Sequence, residues 1–214
     1  MTTSKESNIY SIKIVLVGES GVGKTSIIGS YFDKSLTTYI TTSTPIENFK
    51  DIELSGKKIS VSIWDTAGQE VFRSLNKLFY QDSNIIIIVY AIDDEKSFEE
   101  VKEFWMNDVK DKGTSDKIIG LFGHKSDLYI NEEVDEKEVR IYAENNGANF
   151  FLTNSTEEGI KGIQDSIDSL IKQYLNKVNP DLKFGKNDKV NRISLDEKLP
   201  NPKKDKKSKC KCNK

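Results

Sequence analysis

One eight-residue string constrains this chain more than any other: Gly18-Glu-Ser-Gly-Val-Gly-Lys24-Thr25, a match to G-x-x-x-x-G-K-[ST]. A mostly β-branched and apolar run, Ile9 to Val17, precedes it and reads as a buried strand. Lys24 to Asp33 follows and reads as a helix. A strand, a glycine loop and a helix in that order make a phosphate cradle. The glycines let backbone N–H groups turn inward around an anion, and the following helix aims its positive end at it. In this pattern Ser20, Gly21, Val22 and Gly23 line the cradle. Lys24 supplies a point charge to the terminal phosphates, and the Thr25 hydroxyl is a Mg²⁺ ligand. Ser26 stands one step on, within reach of another phosphate. The plainer reading, a glycine-rich turn that happens to contain Lys-Thr, does not account for the strand before it and the helix after it. The motif alone does not choose between ATP and GTP.

Downstream, strands and helices alternate. Phe49 to Leu54 and Lys57 to Asp65 read as strands joined at Ser55-Gly56, a hairpin signal. Gln69 to Tyr80 reads as a helix. Ile85 to Ile92 is a continuous apolar run of the kind buried on both faces of a parallel sheet. Ser97 to Lys112 is predicted helical, with Phe98, Val101, Trp105 and Val109 at helical spacing. Ile118 to Phe122 is a buried strand, Asp135 to Asn146 a helix ended by Gly147, and Asn149 to Leu152 a short strand. Ile163, Ile167, Leu170, Ile171, Tyr174 and Leu175 mark a last helix. The alternation predicts an α/β sheet with helices on both faces, with ligands at the carboxyl ends of its strands. Residues 1–8 are expected to be a disordered N-terminus, 9–178 the folded domain and 179–214 a flexible basic tail.

Charge distribution narrows the function. The chain has 214 residues and a net charge of −2, but Lys183 to Lys214 holds twelve Lys and Arg against four Asp and Glu. A basic end on an acidic body argues against a nucleic-acid binder and suits an end that approaches an anionic surface. Ile85 to Ile92 is too short to cross a bilayer, and the N-terminus has no signal-peptide apolar core. The expected compartment is therefore the cytoplasm. Both cysteines, Cys210 and Cys212, lie in the last five residues, and His124 is the only histidine, so no Cys/His metal spacing exists.

A second string, Trp64-Asp65-Thr66-Ala67-Gly68-Gln69-Glu70, ends the third predicted strand. Asp65 can hold Mg²⁺ through water. The Gly68 N–H can approach a γ-phosphate with no side chain in the way, and Gln69 can orient a water for in-line attack. With GESGVGKT, WDTAGQE, Phe72-Arg-Ser-Leu75, Phe79-Tyr80 and Ile88-Val-Tyr-Ala-Ile92 in order, the chain resembles the Ras-like small GTPases, and within them the Rab family, from about Tyr10 to Leu175. The resemblance implies a three-layer P-loop GTPase fold with a mostly parallel six-stranded sheet. It also implies a γ-phosphate-sensing loop in which Thr44 binds Mg²⁺ and the γ-phosphate, with Ser43 as the alternative.

At the base site the match departs from the family. The Asn-Lys-x-Asp string reads His124-Lys125-Ser126-Asp127 here. Asp127 can accept from the two N–H donors of guanine, a pair that adenine lacks. The Lys125 stem can cover one face of the base. His124 replaces an amide, and either donates to the base or the phosphate loop or packs beneath that loop without touching ligand. The family's Ser-Ala-Lys loop becomes Ser155-Thr156-Glu157. Two softened contacts predict nucleotide binding about tenfold weaker than in a typical Rab, with faster exchange. The switch loop reads Thr44-Pro-Ile-Glu-Asn-Phe49, where Pro45 lacks an N–H, so a typical Rab's effectors do not transfer.

Lys203 to Lys214 holds seven lysines, one aspartate and both cysteines. The resemblance implies geranylgeranylation of Cys210 and Cys212, a two-chain anchor reinforced by lysines on anionic lipid. It further implies guanine nucleotide with Mg²⁺ as cofactor, slow GTP hydrolysis, and exchange-factor, GAP and effector partners. Prenyl-transfer and GDI-type carriers, a monomeric state and a place on the cytosolic face of membranes follow in the same way. Two other readings stand beside it: a degenerate Rab-like scaffold that holds nucleotide without cycling, and an ATP-using P-loop enzyme, which Asp127 disfavours.

Overall fold

The most apolar run of the chain lies where its composition places it, in the middle of a sheet. The computed structural model describes residues 10–32, 46–66, 79–112, 116–185 and 187–192. Its strands are β1 (Tyr10–Val17), β2 (Ile46–Leu54), β3 (Lys57–Asp65), β4 (Ile85–Ala91), β5 (Ile118–His124), β6 (Asn149–Leu152) and β7 (Val190–Arg192). They lie side by side in the order β6-β5-β4-β1-β3-β2-β7. Every residue of β4 is buried, because parallel neighbours flank it and helices cover both faces. The β1–β3, β1–β4, β4–β5 and β5–β6 pairs are parallel, while β2 runs antiparallel to β3 and β7 antiparallel to β2.

Period-two alternation on β1 divides the core in two. Ile12, Ile14 and Leu16 face one cluster with Ile27 and Ile28 of α1 (Lys24–Tyr31) and with Ile163, Ile167, Leu170 and Ile171 of α4 (Ile160–Val178). Val15 and Val17 face the other. There they meet Phe98, Val101 and Trp105 of α2, a helix built of Glu95–Glu100, Val101–Trp105 and Met106–Lys112, and Val139 and Ala143 of α3 (Glu136–Asn145). This is the expected three-layer α/β fold. Among the described residues, no helix is long and apolar enough to cross a membrane.

Several local expectations change: β2 starts at Ile46, three residues before the expected Phe49, and β5 runs two residues past Phe122 to His124. The helix predicted from Ser97 starts at Glu95, because the Asp94 carboxylate accepts the Ser97 N–H and caps it. Its middle opens into a π turn at Val101–Trp105, closed by the Met106 N–H on the Val101 carbonyl. The extra residue brings Trp105 and Met106 together into the core that Val101 already occupies. Helix α1 ends at Tyr31, two residues before the predicted Asp33. Of the helix expected over Gln69 to Tyr80, Phe79 and Tyr80 fall within the described residues and are helical.

Among the described residues the sheet has seven strands, not six, and the seventh comes from sequence expected to be tail. Phe184 is buried against the α4 side of the core. Its backbone exchanges hydrogen bonds with the Asn176 amide, Nδ2 donating to the Phe184 carbonyl and Oδ1 accepting the Phe184 N–H. Val190–Arg192 then pairs with Ile52–Leu54 at the edge of β2. Arg192 reaches the buried Asp168 carboxylate of α4 at 2.8 Å. The polar composition after Val178 conceals this return, because its anchors are a few scattered apolar residues, Leu182, Phe184 and Val190, and one ion pair.

Candidate nucleotide site

The carboxyl ends of β1, β3, β5 and β6 bring the chemistry-bearing strings to one edge of the sheet. Leu16 is in register with Asp65, so the phosphate-loop and carboxylate segments leave the sheet side by side, while β5 runs four residues further along the same edge and ends at His124 opposite Ala91. Thr66 ties two of them together, its hydroxyl donating to the Leu16 carbonyl at 2.6 Å.

Two of the loop's glycines are sterically required. Gly18 has φ 139° and presses on β4, where an added Cβ would lie 2.1 Å from the Val89 carbonyl oxygen. Gly23 has φ 101° at the start of α1, and a Cβ there would lie 2.2 Å from His124 Cδ2. Ser20 and Gly21 are exposed, Val22 is buried, and Ser26 is half-buried on the first turn of α1.

Lys24 is buried, and its ammonium donates to the Gly18 carbonyl at 2.9 Å and the Glu19 carbonyl at 2.7 Å. Burial lowers its pKa from 10.5 to about 8, against the opposing pull of the Asp65 and Glu19 carboxylates. Desolvation of an ammonium is costly unless an anion compensates it. The loop therefore holds a cation in a place that favours an incoming phosphate.

Beside it, the Thr25 hydroxyl donates to Asp65 Oδ2 at 2.7 Å, joining the first turn of α1 to the end of β3. Asp65 is buried. A hydroxyl and a carboxylate oxygen in contact are hard donors of the type Mg²⁺ prefers, so the pair fits that ion.

On the base side, His124 is buried at the end of β5 and its pKa falls from 6.5 to about 4, chiefly through desolvation. It is neutral near pH 7. Its Nδ1 lies 3.0 Å from Thr153 Oγ1 and its Nε2 3.2 Å from Ser155 Oγ. The ring edge lies against Gly23 of the phosphate loop, and both ring nitrogens are turned to hydroxyls. Lys125 takes φ 60° and pairs with Asp93 at 3.2 Å. Asp127 is exposed in the short turn of helix Ser126–Asn131, so its carboxylate faces outward. Thr156 and Glu157 are also exposed.

Sequence reasoning missed Asn154. Its Nδ2 donates to Ser126 Oγ at 3.1 Å, and its Oδ1 accepts the Thr156 N–H at 3.2 Å. One amide thus joins the Lys125–Asp127 segment to the Ser155–Glu157 segment. The visible signal was an amide next to Ser155 at the end of a strand. Thr153 and Asp93, which hold His124 and Lys125, had no signal beyond position. Thr44, Ser43, Gly68, Gln69, Cys210 and Cys212 lie outside the described residues.

An α/β sheet with a glycine loop, a buried lysine, a Thr–Asp pair and an outward aspartate at the strand ends defines a phosphate-loop nucleotide-binding domain. The Ras family profile matches residues 13–176. The human Ras-related protein Rab-21 is 36% identical over 167 residues, 78% of this chain and 73% of that protein. GTP-binding protein YPTM2 of Zea mays is 38% identical over 148 residues, 68% of this chain and 72% of its own length. The dog Ras-related protein Rab-13 is 33% identical over 167 residues, covering 78% and 81%. The chain belongs to the Ras family of small GTPases, as a divergent member of its Rab group.

Proposed function

We propose that this chain binds GTP and GDP with Mg²⁺, hydrolyses GTP slowly, and serves as a membrane-attached switch in membrane trafficking. The observation that carries the reading is the buried Lys24 ammonium beside the Thr25–Asp65 contact, at the carboxyl ends of β1 and β3. Backbone N–H groups of Ser20 to Thr25 and the Lys24 ammonium hold the phosphates, and Ser26 binds another phosphate oxygen. Thr25, Thr44 and Asp65 hold Mg²⁺, which would neutralise the phosphate oxygens. Gly68 approaches the γ-phosphate through its N–H, and Gln69 orients the attacking water. Asp127 reads the guanine N–H pair, Lys125 covers the base, and Ser155 to Glu157 flank it. His124 supports the site from beneath.

In this reading exchange factors, GAPs and effectors act on the loops that order around the γ-phosphate. Cys210 and Cys212 carry prenyl groups added by a transferase, GDI-type carriers extract the chain, and the lysine-rich end adds attraction to anionic lipid. The test is identification of the nucleotide that co-purifies, its release with and without a Mg²⁺ chelator, and single-turnover hydrolysis. Bound GDP or GTP, faster release on chelation and hydrolysis lost in Gln69→Leu are expected. A protein with no affinity for either nucleotide in Mg²⁺ overturns the proposal.

A nucleotide-holding scaffold is the second reading. It is favoured by His124, whose two ring nitrogens face Thr153 and Ser155. Hydrolysis no faster than in Gln69→Leu would select it.

A further inference from the structure

The phosphate loop carries one acidic side chain, Glu19, directly after Gly18. Its backbone carbonyl accepts the Lys24 ammonium at 2.7 Å, and its carboxylate is close enough for Lys24 to feel its charge. The same residue therefore helps seat the cation that greets the phosphates while placing a negative charge beside them. Like charges at short range repel strongly in a partly desolvated site. In this structure the carboxylate is committed elsewhere: Glu19 Oε1 accepts the Trp105 Nε1–H at 3.0 Å. Trp105 is buried, and an indole N–H can only donate, so it requires an acceptor. The π turn of α2 seats Trp105 in the core beside Met106, and Phe104 packs edge-on against the indole with centroids 5.0 Å apart.

We propose that Trp105 is a positioning residue for nucleotide binding, its indole N–H holding the Glu19 carboxylate at α2 so that the loop's own negative charge does not oppose the terminal phosphate. This rests on the phosphate-site reading above. The effect is graded by ligand charge. GTP carries one more phosphate than GDP, so release of the carboxylate penalises GTP more. A purely structural Trp105 would affect both nucleotides alike.

The experiment is equilibrium titration of the full chain, in Mg²⁺, with GDP and with a non-hydrolysable GTP analogue. Trp105→Phe keeps a ring and removes the donor. Its affinity for the GTP analogue relative to GDP falls about three- to tenfold. Adding Glu19→Gln to that variant removes the charge and restores the wild-type ratio. Glu19→Asp tests the same contact with α2 intact: one methylene shorter, it keeps the charge and loses the indole. Its ratio falls in the same direction, whereas Glu19→Gln alone, which keeps an oxygen for the indole, does not lower it. Wild-type binding with an unchanged ratio in both Trp105→Phe and Glu19→Asp overturns the positioning role and leaves the phosphate site standing. So does an altered ratio that Glu19→Gln fails to restore. Wild-type protein that binds neither nucleotide overturns both.

Discussion

His124 closes on Gly23 so tightly that a single methyl group on the glycine would lie 2.2 Å from the imidazole Cδ2. The end of β5 and the start of α1 therefore share one steric boundary. Gly23→Ala fails twice, through that clash and through its φ of 101°, and it loses nucleotide binding by well over about tenfold. His124→Ala removes the other wall. It leaves a void under the loop and takes the shared partner from Thr153 and Ser155, costing about 2–3 kcal/mol of stability. Denaturant unfolding and nucleotide titration of the two variants check this, with Gly23→Ala the worse binder and His124→Ala the clearer loss of stability.

The single histidine also sets a pH dependence. Its folded pKa, about 4, lies below the ordinary 6.5. Between those values the unfolded chain binds the proton and the folded chain does not, so stability rises with pH across that window. The contribution is fully present above about pH 6.5 and is lost as pH falls toward 4, by at most about 3 kcal/mol. Unfolding curves at pH 7 and pH 4.5 should show that loss, and His124→Asn should reduce it. The lone imidazole resonance should titrate near pH 4 in the folded protein.

Lys24 predicts a proton linked to binding. Burial holds its pKa near 8 when no phosphate is present, so at pH 8 about half the molecules carry a neutral amine. A phosphate at the loop favours the ammonium and draws the proton back. Nucleotide binding at pH 8 should take up about half a proton, measured by calorimetry in buffers of different ionisation heat. Affinity should fall as pH rises above 8. Lys24→Ala abolishes the uptake together with most of the binding.

The line between legible and hidden features follows the range of the interactions. The loop from Gly18 to Thr25 and the strand ahead of it are encoded locally, in glycine spacing and β-branched residues, and the structure places them as expected. The β4 run was equally plain, because full burial demands uninterrupted apolar residues. His124 was visible as a departure, yet its partners Thr153 and Ser155 come from another strand and loop, and no local pattern announces them. The π turn escaped because Phe98, Val101, Trp105 and Val109 fit ordinary helical spacing. Met106, five residues after Val101, is what that spacing does not explain. Strand β7 escaped because a three-residue edge strand in polar sequence has no periodicity, and its anchor is a long-range ion pair.

That ion pair supplies the last prediction. Asp168 is nearly enclosed on α4, and burial raises its pKa while Arg192 and the Tyr31 hydroxyl oppose the rise. Arg192 donates to Oδ2 at 2.8 Å, Tyr31 to Oδ1 at 3.2 Å, and the guanidinium lies 5.6 Å from the Tyr31 ring centroid. Arg192→Ala leaves the carboxylate with the Tyr31 hydroxyl as hydrogen-bond partner and Lys172 as the remaining nearby cation, and removes the side-chain tie between β7 and α4. Arg192 is itself about a fifth exposed, so the loss should sit below the full cost of breaking a buried pair, at about 2 kcal/mol. Asp168→Asn should cost a similar amount, since it strands the cation instead. The double variant Asp168→Asn with Arg192→Ala should cost less than the sum of the two singles, because neither charge is then left unmatched. Denaturant unfolding of the four proteins closes the cycle. Strict additivity would mean that the strand is held by its backbone ladder and Phe184, without help from the pair.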